Sequence, residues 1–166
     1  MVEIKHLLTP TRVISGLRAA GKDDLLGALA AHMSLEANVE KGAVVAALTT
    51  APPPLMLRGG LSLFHAIVAG LDRPVAIVAR LRSPLTLGGM DQCPTDLVAL
   101  LASPANKTGH HLQALACLAR RLRRPDVLRH IRATKCRDVM YLALTSDEWR
   151  SLQLDSSHGA TARRRG

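Results

Sequence analysis

The residue of this chain that most invites a chemical interpretation is His65, which lies in the apolar run 58–71, R-G-G-L-S-L-F-H-A-I-V-A-G-L. Imidazole is the common side chain that can act near pH 7 as a neutral nucleophile, a general base or a metal ligand. The simpler alternative is a histidine that only packs within a strand, because nothing beside it specifies a reaction. A chemical role for His65 therefore requires a partner elsewhere in the chain.

Motifs for several other reactions are incomplete or missing. The segment 60–64, G-L-S-L-F, lacks the final glycine of the G-x-S-x-G nucleophile elbow, so a serine hydrolase is not expected. The sequence contains no G-x-x-x-x-G-K-[ST] phosphate loop and no G-x-G-x-x-G motif. His110 and His111 are adjacent, and neighbouring side chains on a helix point about 100° apart, so the two cannot ligate one ion. We expect neither a metal nor a cofactor.

The composition indicates one domain of ordinary size. With 166 residues, 48% of them hydrophobic, the chain can bury a continuous core without disulfides or a structural metal. Three widely spaced cysteines predict free thiols in a cytoplasmic protein. The first residues lack a signal-peptide pattern, and no apolar run approaches the roughly 18 residues of a membrane span. We therefore expect a soluble cytoplasmic protein.

The chain is basic, with 22 lysines and arginines against 13 acidic residues and a net charge of +9. Such a charge can favour nucleic acid or acidic partners. Much of it lies in the arginine-rich segments 120–137 and 163–165, and only 2% of the residues are aromatic, so there is little to stack on bases. A solvated arginine-rich helix face is the preferred interpretation. Nucleic-acid binding, which predicts steep salt dependence, is the alternative.

Periodicity along the chain predicts an α/β domain. Short apolar runs bounded by turn residues predict a strand after Pro10, the His65 strand, and two strands buried on both faces at 75–81 and 95–102. Helical spacing of apolar residues predicts helices at 22–33, 39–48, 109–122, 125–132 and 137–144.

Punctuation residues set the expected limits of these elements. Asn38 and Thr108 are predicted N-caps, and Pro125 fits the first position of a helix. Three prolines at 52–54 must end the second helix before the His65 strand. Residues 1–145 are predicted to form the domain, whereas 146–166 lose periodicity and are predicted to be a basic, disordered tail.

Several segments taken together resemble one family. Besides His65 they are G-L-D-R-P-V-A-I-V-A-R-L at 70–81, D-Q-C-P-T-D-L-V-A-L-L-A-S-P at 91–104 and G-H-H-L-Q-A-L-A-C-L-A-R-R-L at 109–122. The family is the enzyme IIA component of the mannitol/fructose type of the bacterial phosphoenolpyruvate-dependent phosphotransferase system, and most closely its nitrogen-regulatory branch. The resemblance spans residues 6–145 and implies the mannitol-type enzyme IIA fold, a mixed β-sheet flanked by helices.

The resemblance also implies a phosphohistidine carrier rather than an enzyme with turnover. In such proteins the histidine at the position of His65 accepts a phosphoryl group from a histidine phosphocarrier protein, and the histidine matching His111 lies beside it. Phosphoryl transfer requires mainly positioning and charge stabilisation, so two histidines near a helix N-terminus suffice in outline. The implied partners are that carrier and a regulatory target protein, such as a transporter or a sensor kinase.

Positions around the histidine depart from the family pattern. Thr49 stands where relatives have an arginine, residues 54–58 replace a loop of the Ser-Thr-Gly-Ile-Gly type, and Phe64 and Ile67 replace a proline and an arginine. Most of the expected phosphoryl-binding groups are therefore missing. We consider Arg58 as a substitute that supplies one of the missing positive charges. The alternative to a phosphocarrier is a degenerate relative that takes no phosphoryl group and acts as a protein-binding module, in which the histidine is dispensable.

Overall fold

The computed structural model describes residues 1–88 and 93–150 of the chain. The strands are β1 (Val13–Leu17), β2 (Leu55–Leu57), β3 (Leu61–Ile67), β4 (Val75–Leu85) and β5 (Thr95–Ser103). The helices are α1 (Ile4–Leu7), α2 (Lys22–Ala37), α3 (Lys41–Thr50), α4 (Thr108–Leu122), α5 (Pro125–Ala133) and α6 (Arg137–Thr145), and a 3₁₀ turn covers Pro10–Arg12. The predicted α/β class is confirmed.

The five strands form one mixed sheet in the order β1-β4-β5-β3-β2. β1 runs parallel to β4, and β3 runs parallel to β5, whereas the pairs β4–β5 and β2–β3 are antiparallel. The central strands β4 and β5 carry long buried runs. The buried runs of β4 and β5 are almost entirely apolar because helices cover both faces of the sheet.

Alternation of side chains along β3 divides the core into two clusters, one on each face of the sheet. Leu63 packs in the cluster with α1, α4, α5 and α6. Phe64 and Ala66 pack in the cluster with α2 and α3. His65 has the same parity as Leu63, so the strand directs it toward the face that carries α4 and His111.

Two predicted helix caps are wrong. Asn38 adopts a left-handed φ of 52° at the C-terminal end of α2, whereas α3 begins only at Lys41. Asparagine tolerates this conformation and can end a helix as well as begin one. Thr108 is the first residue of α4, while Lys107 takes the cap position without a side-chain hydrogen bond. Pro125 at the start of α5 is confirmed.

The packed structure extends past residue 145, where the sequence predicts that the domain ends. Trp149 is 7% exposed and packs in the cluster formed with α1, α4, α5 and α6. Its indole stacks on the ring of His130, with centroids 4.4 Å apart. The rest of the predicted basic tail, 151–166, lies outside the described residues, and its disorder stays a prediction.

The three cysteines are free thiols; Cys93 and Cys136 are exposed and Cys117 is half-buried. Within residues 1–88 and 93–150, no helix is long and apolar enough to cross a membrane. The same part of the chain contains no group of three His, Cys, Asp or Glu side chains that could hold a metal ion.

Candidate functional site

The structure brings together His65 and His111, which are 46 residues apart in the sequence. Nε2 of His111 lies 3.3 Å from Nδ1 of His65, within hydrogen-bond distance. The ring centroids are 5.3 Å apart and the ring planes are tilted by 43°. His65 comes from β3 and His111 from the first turn of α4, so the pair joins a strand to the N-terminus of a helix.

The connection between β5 and α4 positions the second histidine. The backbone N–H of His111 donates to the carbonyl of Lys107 at 3.1 Å, which closes the first turn of α4. Nζ of Lys107 donates to the carbonyl of Asp72 at 2.9 Å and ties this helix end to the turn after β3. Because β3 and β5 are hydrogen-bonded neighbours with His65 opposite Leu101, the helix that follows β5 begins close to the His65 end of β3.

Ser103, the last residue of β5, completes the site. Its Oγ lies 2.8 Å from Nδ1 of His111. Ser103 is 0% exposed and His111 is 7% exposed, so this contact is shielded from water. Both nitrogens of His111 thereby have partners, and the three side chains form one hydrogen-bonded row ending at His65. Sequence reasoning missed Ser103, although a hydroxyl residue ending an apolar strand is a detectable signal.

Burial governs the charge of the pair. It lowers the pKa of His65 below the ordinary value for histidine. The pKa of His111 is also lowered, first by burial and second by the positive charge that a protonated His65 would carry. Both imidazoles are therefore predominantly neutral at pH 7. A neutral imidazole keeps a lone pair on one ring nitrogen, and this form can act as a nucleophile.

The structure does not bring Arg58 to the histidine pair, and its phosphoryl-binding role stays a prediction that this placement does not support. Arg58 lies in the turn between β2 and β3, where it lines a separate cavity of about 350 Å³ together with Cys93 and Thr95. The strand distance from Leu61 to His65 alone is roughly 13 Å at about 3.3 Å per residue. Arg58 precedes Leu61 and therefore lies at the opposite end of β3 from His65.

Two hydroxyl groups of the region are engaged elsewhere. Oγ1 of Thr49 donates to the carbonyl of Val45 at 2.8 Å within α3. Ser62 is buried, and its Oγ lies 2.8 Å from Oγ1 of Thr95. Ser62 is thus a packed hydroxyl of the core, as its incomplete elbow motif indicates.

Sequence comparison defines the family. Residues 6–146 match the family described as phosphoenolpyruvate-dependent sugar phosphotransferase system, EIIA 2. The nitrogen regulatory protein of Bradyrhizobium diazoefficiens is 30% identical over 148 residues, which cover 85% of this chain and 94% of that protein. The nitrogen regulatory protein of Pseudomonas aeruginosa is 25% identical over 144 residues, covering 85% of this chain and 94% of that protein.

Solved structures show the same fold. Nitrogen regulatory protein IIA-Ntr from Neisseria meningitidis has a TM-score of 0.75 at 20% identity, over 86% of this chain and 99% of that chain. IIA mannitol from Escherichia coli has a TM-score of 0.65 at 18% identity, over 82% of this chain and 98% of that chain. The fold is therefore that of the IIA proteins. The chain belongs to the EIIA 2 family of the phosphoenolpyruvate-dependent sugar phosphotransferase system, in its nitrogen-regulatory branch.

Proposed function

We propose that the chain is a regulatory phosphocarrier of the nitrogen phosphotransferase system, with His65 as the residue that accepts a phosphoryl group from a histidine phosphocarrier protein. The main support is the 3.3 Å contact between two imidazoles that burial keeps neutral. One ring is free to react while the other orients it. Family membership supports the same role. In its two phosphorylation states the protein then binds or releases a regulatory target, such as a transporter or a sensor kinase.

The hydrogen bonds favour Nε2 of His65 as the reacting atom, because Nδ1 already faces Nε2 of His111. For Nε2 of His65 to hold the lone pair, Nδ1 of His65 must carry the proton and donate a hydrogen bond to Nε2 of His111. Nδ1 of His111 then carries the proton of that ring and donates a hydrogen bond to Oγ of Ser103. This arrangement of protons satisfies three of the four ring nitrogens and leaves Nε2 of His65 as the single nucleophilic position.

The transfer itself exchanges one nitrogen–phosphorus bond for another. As Nε2 of His65 bonds to phosphorus, the bond between phosphorus and the donor's imidazole breaks, and that imidazole leaves with the electron pair. The positive charge that develops on the His65 ring is stabilised by donation from Nδ1–H to His111. The N-terminus of α4, three residues before His111, supplies N–H groups and the positive end of the helix dipole for the phosphoryl oxygens.

The placement of Thr49 and Arg58 favours a second candidate function, a protein-binding module that takes no phosphoryl group. The Thr49 hydroxyl is bonded within its own helix, and Arg58 lies at the far end of β3. At the His65 end, Ile67 is 44% exposed and Leu112 is 62% exposed, which provides apolar surface for a protein partner. In this alternative, substitution of His65 leaves target binding intact.

The discriminating experiment is phosphorylation of the purified protein by phosphoenolpyruvate, enzyme I and the histidine phosphocarrier protein. We expect an acid-labile mass gain of about 80 Da, the mass of a phosphoryl group, that is absent from His65→Ala. His110→Ala is the matched control, since His110 is an exposed neighbour of His111 and should keep the gain. No gain in the folded wild type, with the carrier shown to be phosphorylated in the same mixture, would overturn the phosphocarrier proposal and leave the binding module.

A further inference from the structure

A basic cleft lies at the opposite end of the sheet from His65 and takes no part in the proposed phosphoryl transfer. It has a volume of about 730 Å³, and its walls include Ser15, Gly16, Arg80, Arg82, Arg132 and Lys135. Strand register separates it from the histidine pair. Arg80 of β4 lies opposite Leu97 of β5, whereas His65 lies opposite Leu101. Four residues of strand, roughly 13 Å at about 3.3 Å per residue, separate these positions.

We propose that this cleft binds a small phosphate-bearing anion of about mononucleotide size. Among the described residues, four cationic side chains line it, against a single carboxylate, that of Asp96. Nε and Nη2 of Arg132 already bond that carboxylate at 2.7 and 2.6 Å, so the remaining charge of the cleft is positive. Its volume lies within the range of roughly 300–1,000 Å³ that is typical of small-molecule sites.

Two of the cations are held in place by the protein. Nη1 of Arg80 donates to the carbonyls of Ile131 at 3.2 Å and Arg132 at 3.0 Å, and to that of Thr134, at the end of α5. Arg132 is fixed by its two bonds to Asp96. Because these guanidinium groups are ordered before any ligand arrives, neither loses further side-chain entropy on binding, and Arg80 contributes a positive charge that no carboxylate of the described lining neutralises.

The other two cations are available to a ligand. Arg82 and Lys135 are exposed, and within residues 1–88 and 93–150 neither has a hydrogen bond or an ion pair. Arg82 follows Arg80 by two positions on β4, and both residues line the cleft. An arginine fork can bind phosphate through two parallel hydrogen bonds, and a lysine adds a mobile point charge.

The edge strand β1 adds an irregular backbone to the same cleft. Its register against β4 shifts between Ser15 and Leu17, which leaves Gly16 in a bulge with φ of +82°. No atom lies within 4 Å of the position that a Cβ on Gly16 would occupy, so the bulge is open. Bulges are frequent beside binding sites, and backbone N–H groups that leave the ladder can donate to anions.

The test uses the full chain with pyrophosphate and ADP as probes and adenosine as the uncharged control, followed by calorimetry and backbone amide NMR at low salt. We expect saturable binding of both anions, no binding of adenosine, and shifts at Gly16, Arg82 and Lys135. The double variant Arg82→Gln/Lys135→Gln should bind at least about tenfold more weakly, since it removes two charge-assisted contacts. The matched control Arg120→Gln, an exposed arginine on α4, should bind as the wild type does.

Three results would overturn the proposal: no saturable binding of either anion, equal weakening by Arg120→Gln, or shifts confined to Ser103 and His111. The third result would show that the anions prefer the histidine site. His65→Ala should leave binding in the cleft unchanged. Absence of anion binding in the cleft and absence of phosphorylation at His65 can therefore be told apart.

Discussion

Ser103 controls the one nitrogen of His111 that does not face His65. Which ring nitrogen of a histidine carries the proton is set by the hydrogen bond that the other ring nitrogen makes. A buried hydroxyl 2.8 Å from Nδ1 can accept a hydrogen bond from Nδ1–H of His111, which leaves the lone pair on Nε2 of His111 directed toward Nδ1–H of His65. Ser103 is thus a positioning residue for the proposed transfer and does not itself contact the phosphoryl group.

We expect Ser103→Ala to slow phosphorylation of His65 about fivefold, because one buried hydrogen bond contributes about 1 kcal/mol. The initial rate at fixed carrier concentration measures this effect, and ¹⁵N NMR reports the tautomer of His111. Ser83→Ala, which removes an exposed hydroxyl on β4, serves as the control and should react at the wild-type rate. An unchanged rate and tautomer in Ser103→Ala would show that the hydroxyl only packs.

The histidine pair also makes stability depend on pH. Because burial lowers the pKa of both rings in the folded state, the unfolded chain binds protons first as the pH falls. Their contribution is therefore fully present above about pH 6.5, the unfolded value, and is lost as the pH drops toward the lower folded pKa values. We expect His65→Gln/His111→Gln to lose less stability than the wild type between about pH 7.5 and 5.5, measured by urea unfolding.

Exposed His110 supplies the control for this pH experiment. His110→Gln should retain the wild-type dependence, since it leaves the buried pair of His65 and His111 intact. A double variant whose stability falls with pH as steeply as the wild type would contradict the assignment of the effect to the buried pair. Direct NMR titration of the two rings provides an independent reading, with midpoints below about 6.5 expected.

Among the secondary-structure elements, β4 and α5 are connected by the side chain of Arg80 as well as by the shared apolar core. The last carbonyls of a helix have no partner within it, and they form the negative end of its dipole. Nη1 of Arg80 donates to the carbonyls of Ile131 and Arg132 in the last turn of α5. The guanidinium group therefore satisfies acceptors of α5 that lie against the sheet and complements their charge.

We expect Arg80→Met to lower the free energy of unfolding by about 2 kcal/mol, since charged hydrogen bonds to carbonyls are lost and the acceptors stay partly buried. Urea unfolding of the purified protein measures this change. Arg82→Met is the matched control on the same strand, where an exposed side chain without a described partner should change stability by less than about 0.5 kcal/mol. Equal effects of the two substitutions would show that Arg80 does not support α5.

Local pattern is sufficient for the elements that are long or continuously apolar. The strands β4 and β5 and the helix α4 follow from apolar runs and helical spacing. The sequence pattern does not predict very short elements or the ends of helices. α1 has only four residues and β2 only three, which is too few to show a period. Asn38 illustrates the ambiguity of caps, because its side chain suits both ends of a helix.

The site was predictable only in part for a related reason. Family resemblance implies the pairing of His65 with His111, but sequence spacing alone cannot, since β3 and α4 meet only through the order of strands in the sheet. Ser103 lies beside His111 because β5 leads into α4, and Arg58 lies at the far end of β3 because it precedes that strand in the chain. Residues close in sequence to the histidine are thus less informative than residues at the ends of neighbouring strands.

At the scale of the whole molecule, the segment after α6 is packed as part of the domain. Asp147 accepts hydrogen bonds at 2.9 Å from Nη1 of both Arg121 and Arg124, and these contacts lower the pKa of its carboxyl, with the bond to Arg121 as the largest cause. Nε of Arg121 also donates to the carbonyl of Ala143 at 3.1 Å. Arg121 and Arg124 thereby bind the chain beyond α6 to the domain, and Trp149 packs in the core.

These contacts predict where the chain can be shortened. We expect a chain that ends after residue 145 to be less stable than one that ends after residue 150 by about 3 kcal/mol, the usual cost of losing a buried large aromatic side chain. This corresponds to a fall in Tm of roughly 6–12 °C for a protein of this size. The chain ending after residue 150 should unfold with the Tm of the full chain, since the sequence predicts a disordered tail over 151–166.

Trp149→Ala in the full chain separates the indole from the rest of the segment. If burial of the ring dominates, this variant should lose most of the stability that truncation after residue 145 removes, since the bonds from Arg121 and Arg124 to Asp147 involve a largely exposed carboxylate and contribute little. If the chain ending after residue 145 is instead as stable as the full chain, the domain ends where periodicity is lost in the sequence. The stacking of Trp149 on His130 would then be a contact without energetic consequence for the fold.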